Sequence, residues 1–358
     1  MDARTLANLA QMFFAQAARF GDKPFLWAKQ QDQWRPLSWA ETAAKVEALA
    51  RALIGLGVGR GDRVALVAEN RPEWAIADLA IMSAGAITVP GYVTNTLEDH
   101  RHVFANSGAK GVIASGPAFA EAALAAQRLV PGCRFQIAFE PPAPVPGFTI
   151  LSWDEALALG GRRGDDVQAL VTGISRQEIA CILHTSGTGG LPKGVSLTHG
   201  NILSNCRGAE CVLAPLGLDD EVFLSFLPLS HSYEHTAGLF FPISIGAQIY
   251  FAQSVELLSA NMLETRPTIM TAVPRLYETM HHRILAGVRR AGGLKATLFE
   301  RALALGRQRY EHPGSLGIWQ RVTDAVLERL VRDKVRARFG GRLKALVSGG
   351  APLNYDIG

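Results

Sequence analysis

The sequence is short of several features that would settle its class at once. It has only four cysteines, Cys133, Cys181, Cys206 and Cys211, with no close metal-type pairing among them. Two lie in apolar segments, and all four read as reduced thiols of a cytoplasmic protein. Long apolar runs are missing too. The longest, Thr236 to Ala252, is interrupted by Pro242, Gly246 and Gln248 and falls short of the ~20 residues that span a bilayer. It reads as a buried helix, a glycine stop and a core strand. The opening Met1-Asp2-Ala3-Arg4 lacks a basic stretch followed by an unbroken apolar run, so no signal peptide is expected. There is no internal repeat and no low-complexity tract. Net charge is small, +4, but uneven: Arg283 to Lys344 holds 15 Lys+Arg against 5 Asp+Glu, or +10, which leaves −6 elsewhere.

What is present is apolar content, 48% over 358 residues, enough to bury a substantial core in two or three domains. Thr5 to Phe20 has a helical rhythm, with Leu6, Leu9, Phe13 and Ala17 on one side. Phe25-Leu26-Trp27 begins a hairpin that returns near Trp34, and Glu41 to Leu56 is a second amphipathic helix. Then strands and helices alternate: strand Arg63–Ala68, helix Pro72–Ala84, strand Ala86–Pro90, helix Leu97–Ser107, strand Gly111–Ala114. That alternation predicts an α/β fold, doubly wound, with mostly parallel sheets and helices on both faces. Prolines 131, 141, 142, 144 and 146 predict an exposed excursion between Pro131 and Pro146. A first α/β part is expected over about 1–175 and a second over 176–358.

The chemistry concentrates in Thr185-Ser186-Gly187-Thr188-Gly189-Gly190-Leu191-Pro192-Lys193-Gly194. Glycines let backbone N–H groups approach anionic oxygens, Thr185, Ser186 and Thr188 add hydroxyl donors, and Lys193 adds a point charge. Ile179 to Leu183 reads as a buried strand ahead of it and Val195 to Thr198 as a second strand after it. A Walker loop needs Gly-Lys-Ser/Thr opening a helix, whereas Lys193 lies between Pro192 and Gly194 and leads into a strand. A glycine-rich hairpin tip that binds nothing is the competing reading. Three hydroxyls, adjacent glycines and Pro-Lys-Gly within one loop argue against it. From His199-Gly200-Asn201 a helix is expected, capped by Thr198 and Asn201.

This loop resembles the signature of the adenylate-forming superfamily of acyl-CoA synthetases, luciferases and peptide-synthetase adenylation domains. The family usually has threonine where this chain has Gly189, so one hydroxyl donor is missing and the resemblance implies a weaker phosphate grip. Glu69-Asn70-Arg71-Pro72-Glu73-Trp74 and Gly85 to Pro90 look like early motifs of the same family. Val273-Pro274-Arg275-Leu276-Tyr277-Glu278 resembles its long-chain branch. So does the helical insertion through Leu298-Phe299 to Phe339, where Trp319, Val322, Val326 and Leu330 form one apolar stripe among arginines and lysines.

Phe226 to His235 allows competing readings. His231-x-x-Glu234-His235 spells the inverted zinc-peptidase motif, but Pro228 just ahead and the lack of a further acidic ligand argue against a metal set. A partly buried histidine beside a solvated one is the plainer reading. The family resemblance implies instead that His231 helps orient an acyl carboxylate and that Tyr233 shapes the acyl entrance; His235 receives no role. Gly349-Gly350-Ala351-Pro352 resembles the loop beside the adenine ring.

By resemblance, the chain is the N-terminal portion of a long-chain fatty acid–CoA ligase using ATP, Mg²⁺ and CoA. The family's ribose aspartate, metal-side glutamate and mobile domain would lie beyond Gly358, so the 358-residue chain is expected not to turn over alone. Lys193 and His231 are the catalytic candidates. The alternatives are an acyl-AMP ligase, a peptide-synthetase-type adenylation domain, or a non-catalytic nucleotide-binding fragment. Residues 283–344 are expected either to touch an anionic membrane peripherally or simply to form a solvated charged face. No nucleic-acid partner is expected.

Overall fold

A helix that is hydrophobic all round has to be buried, and in Pro72–Ser83 only Glu73 escapes burial. The computed structural model describes residues 6–185 and 191–354. The chain divides into two compact units, Met1–Gln253 and Ser254–Gly358. In the first, β1 (Pro24–Gln30) and β2 (Gln33–Ser38) form the expected hairpin. Then follow β3 (Arg63–Val67), β4 (Ile87–Gly91), β5 (Ala109–Ala114), β6 (Phe135–Ala138), β7 (Thr149–Ser152), β8 (Ile179–Thr185), β9 (Lys193–Thr198), β10 (Val222–Ser225) and β11 (Gln248–Phe251).

Seven of these strands form one sheet in the order β7-β6-β5-β3-β4-β8-β9, parallel except for the antiparallel β9. The sheet therefore runs across residue 175. Within the same unit β10, β11, β1 and β2 lie side by side, parallel but for the β1–β2 hairpin. Burial follows position in the sheet. Every residue of β4 and β6 is buried, while the edge strands β2 and β9 are largely exposed. The expected α/β architecture of mostly parallel sheets flanked by helices is present.

Local chemistry sets the helix starts. Ser38 with Glu41, Thr96 with Asp99 and Thr198 with Asn201 each close a reciprocal capping box. The first helix runs Leu9–Phe20 and does not begin at Thr5, because Asn8 caps it, accepting from the Gln11 N–H at 2.8 Å. The same carboxamide donates to the carbonyls of Val171 and Ile174. Leu6, Leu9, Phe13 and Ala17 are all buried, as their spacing predicts.

The proline-rich span corrects the sequence reading. It contains β6, buried at all four residues, with Phe135 lying where a side chain on Gly111 would have to be. Gln136 Nε2 donates to the Ala120 carbonyl at 2.9 Å. Exposure is confined to its flanks, where Pro131, Pro141, Pro144 and Pro146 face solvent.

In the second unit β12 (Ile269–Ala272) and β13 (Ala345–Ser348) pair in parallel. Pro274 opens a helix to Ala291, and further helices span Gly293–Glu311 and Ile318–Leu327, continuing through Glu328–Arg332 and Asp333–Ala337. Their small core is Ala302, Leu305, Leu316 and Leu327. The stripe of Trp319, Val322, Val326 and Leu330 points the other way, with Trp319 83% exposed. Buried Asp324 is held by Arg309 at 3.0 Å and Arg332 at 2.6 Å.

Candidate active site

In the glycine–hydroxyl hairpin, Thr185 and Lys193 are cross-strand partners at the ends of β8 and β9, so the loop between them leaves and re-enters the sheet at one point. Both are exposed. Ser186, Gly187, Thr188, Gly189 and Gly190 lie outside the described residues. The base of the hairpin is tied to the Leu97–Ser107 helix. His102 Nε2 lies 2.8 Å from the Pro192 carbonyl and His184 Nε2 lies 3.1 Å from Asn106 Oδ1. Gly194 makes that approach possible, since a side-chain carbon there would sit 2.9 Å from Ile182 Cγ2 and 3.2 Å from His184 Nε2. Burial, with His102 adding to it, pushes the His184 pKa down, so its ring is neutral near pH 7.

His231 and Tyr233 come together after β10. His231 is exposed at the start of a short turn, and its Nδ1 accepts from the Tyr233 N–H at 3.2 Å. Tyr233 is half-buried, and burial followed by the neighbouring Glu234 raises its phenol pKa well above the ordinary value. Glu234 and His235 turn inward. Glu234 accepts from the Ser225 hydroxyl at 2.6 Å, and His235 Nε2 meets Asp78 Oδ2 at 2.8 Å, with both side chains of that second pair fully buried. His231, Glu234 and His235 therefore do not converge on one point. Among the described residues no group of three or more His, Cys, Asp or Glu gathers to hold a metal.

Sequence reasoning gave His235 no role, yet it is a hub. Its ring lies edge-on to Trp74 and Phe240, and Cys181 Sγ of β8 is 3.9 Å from its Nδ1. Burial alone would lower the pKa of this imidazole; the Asp78 carboxylate outweighs it and raises the value to about 10. The pair thus joins Pro72–Ser83, β8 and the π-helical turn His235–Phe240 that follows His231. An acid in the middle of an apolar helical run, Asp78, is the sequence signal that could have found it.

The carboxyl end of β3 adds residues that the sequence offered only as an early motif. Strand order reverses between β4, β3 and β5, the place where open parallel sheets carry ligands. Ser115, just past β5, donates to Glu69. Asn70 reaches the segment before His231: Nδ2 donates to the Leu227 carbonyl at 2.6 Å, and Oδ1 accepts from the Leu229 N–H at 2.9 Å.

In the second unit the Gly349 N–H donates to the Ala272 carbonyl at 3.1 Å and continues the β12–β13 ladder by one residue. Gly350 follows at φ +81°, a conformation that favours glycine. Gly350, Ala351 and Pro352 are exposed. Tyr277 braces this strand, its hydroxyl donating to the Val347 carbonyl at 2.9 Å.

Comparisons with known proteins give the family and the fold. Residues 13–357 match the family model described as AMP-binding enzyme. The long-chain-fatty-acid–CoA ligase FadD15 of Mycobacterium tuberculosis is 32% identical over 332 residues, 91% of this chain and 53% of that protein. The peroxisomal long chain acyl-CoA synthetase 7 of Arabidopsis thaliana is 30% identical over 333 residues, 90% of this chain and 45% of that protein. The chain thus spans about half the length of the curated relatives it matches. In fold it is similar to the A-PCP didomain of the carboxylic acid reductase of Segniliparus rugosus in complex with AMP. The TM-score is 0.74 at 18% identity, covering 98% of this chain and 50% of that one. The chain belongs to the family of AMP-binding enzymes.

Proposed function

We propose that the full-length protein is a long-chain fatty acid–CoA ligase. The observation that carries this is the pairing of Thr185 with Lys193 at the mouth of a glycine–hydroxyl hairpin, in a chain that is a member of the AMP-binding enzyme family. In the first step a carboxylate oxygen of the acid attacks the α-phosphorus of ATP, and the bond to the bridging oxygen breaks, releasing pyrophosphate. In the second the CoA sulfur attacks the acyl carbon and AMP leaves. Catalysis of the first step is positioning and charge neutralisation.

In this reading Thr185, Ser186 and Thr188 and the backbone of Gly187, Gly189 and Gly190 cradle the phosphates, while Lys193 faces their charge. His231 orients the carboxylate, Tyr233 lines the acyl entrance, and Gly349, Gly350, Ala351 and Pro352 form a wall for adenine. Mg²⁺ would enter bound to ATP oxygens, and the described residues supply no side-chain set of their own for it. The basic span 283–344 would hold the enzyme against an anionic lipid surface. Its support is the exposed Trp319 stripe beside a net charge of +10.

The test is acid-dependent ATP–pyrophosphate exchange. Charge-assisted contacts are worth about 1.5–3 kcal/mol, so Lys193→Ala slows exchange at least about tenfold; unchanged exchange removes the hairpin from the mechanism. A carrier protein is the rival acceptor. Supplying CoA or carrier protein to the loaded enzyme decides between them.

A further inference from the structure

The two halves of the proposed chemistry stand on different sheets of the first unit. The phosphate hairpin is β8–β9 of the seven-stranded sheet, whereas His231 and Tyr233 follow β10, which pairs with β11. An acyl carboxylate and an α-phosphate meet only if these supports keep a fixed spacing, since an error near 1 Å costs about 100-fold in rate. Asn70, three residues past the end of β3 in the larger sheet, is a side chain that crosses to the backbone just ahead of His231.

Three bonds define the crossing. Asn70 Nδ2 donates to the Leu227 carbonyl at 2.6 Å and to Ser225 Oγ at 3.2 Å, and Oδ1 accepts from the Leu229 N–H at 2.9 Å. Between Leu227 and Leu229 stands Pro228, which has no N–H of its own to offer. One planar amide thus supplies donor and acceptor together to a backbone that cannot fully pair with itself. The chain of bonds continues, because Ser225 Oγ donates to Glu234 Oε1 at 2.6 Å. Glu234 lies directly over Gly238, where a side-chain carbon would stand 2.3 Å from that same oxygen. Leu229 is two residues before His231 and Glu234 three after it, so both flanks of the turn are tied to a single half-buried amide.

We infer that Asn70 is a positioning residue for acyl adenylation: acting through Leu227, Leu229 and the Ser225–Glu234 link, it sets where His231 and Tyr233 stand for the carboxylate. This rests on the acyl-adenylating reading above. An aspartate would keep the shape and lose both donations, and a leucine would keep only the shape.

The experiment uses the full-length protein with Asn70→Ala, Asn70→Asp and Ser225→Ala, reading pyrophosphate exchange while acid and ATP are varied in turn. For Asn70→Ala the expected result is a fall of at least about tenfold in kcat/KM for the acid, with KM for ATP within about twofold of wild type. Asn70→Asp falls as far, and the double variant Asn70→Ala/Ser225→Ala falls less than the two single losses combined predict. Unchanged acid kinetics, or equal losses for acid and ATP, overturn the inference. If the wild-type protein shows no carboxylate-dependent exchange, the proposed function fails, and backbone hydrogen exchange then judges the positioning claim. Faster exchange at the Leu229 N–H in Asn70→Ala, with protection in Pro72–Ser83 unchanged, supports it. Equal exchange at Leu229 overturns it.

Discussion

His199 makes the stability of this protein depend on pH in a calculable way. It opens the helix after β9, is 2% exposed, and accepts from the Leu9 N–H through Nδ1 at 3.3 Å. Burial is the leading cause that lowers its pKa from 6.5 to about 4, against a weaker opposing pull from Glu178 and Asp78. Between those values the unfolded chain holds a proton that the folded chain does not, so stability is complete above pH 6.5 and falls as pH drops towards 4. At about 1.4 kcal/mol per pH unit the whole window is worth roughly 3 kcal/mol. Glutamine at 199 keeps an acceptor for Leu9 and cannot titrate. Urea unfolding at pH 6.5 and at pH 4.5 should therefore show wild type losing about 2 kcal/mol more than His199→Gln over that interval. Other groups, including His100 and His184 with their own lowered values, titrate alike in both proteins and cancel from the comparison. Equal losses in the two proteins would refute the assignment. The alkaline side runs oppositely: the raised pKa of His235 gives stability that is complete below 6.5 and lost as pH rises towards about 10.

Gly160 is where the Trp153–Gly161 helix crosses Trp39–Gly55, and a methyl group there would stand 1.7 Å from the Ala48 carbonyl oxygen. Gly160→Ala should cost at least about 2 kcal/mol by denaturant titration, while Gly161→Ala, with nothing within 4 Å, is neutral or slightly stabilising; equal stabilities would disprove the close crossing. Anionic-vesicle binding by the span 283–344 should be salt-sensitive and fall when the exposed Arg329, Lys334 and Arg338 are neutralised. Arg332 is unsuitable for that test because it holds Asp324, Glu328 and the Ala302 carbonyl; equal binding to neutral vesicles would end the idea.

The fold was legible where one element's own period decides its fate. Leu97–Ser107 was placed to the residue because Thr96, Asp99 and Gly108 mark both ends chemically. The hairpin β8–β9 was legible for a similar reason, with apolar and alternating strands flanking a loop of glycines and hydroxyls. β6 was not, because four residues are too few for a period to register and prolines on both sides suggest exposure. Its burial comes from its neighbours in the sheet, through the gap that Gly111 leaves for Phe135. The Trp319 stripe shows the converse: an apolar period identifies a face but not what covers it, and here the small core formed on Leu305, Leu316 and Leu327 instead.

The candidate site was half legible for a related reason. Lys193, Thr185, His231 and Tyr233 belong to short stretches whose composition is unusual in itself. Asn70, Ser225, Glu234, Asp78 and His235 act across 9 to 157 residues of sequence, in pairs that no local pattern links. Asp78 still leaves a trace. A carboxylate in a helix buried on every side is tolerated only with a partner, because isolating it would cost several kcal/mol. The apolar run around Asp78 therefore demands a buried cation or donor elsewhere in the chain. His235 meets that demand by sitting between β8 and the turn of His231, so the charge that looks misplaced in one helix helps hold β8 to the segment bearing His231.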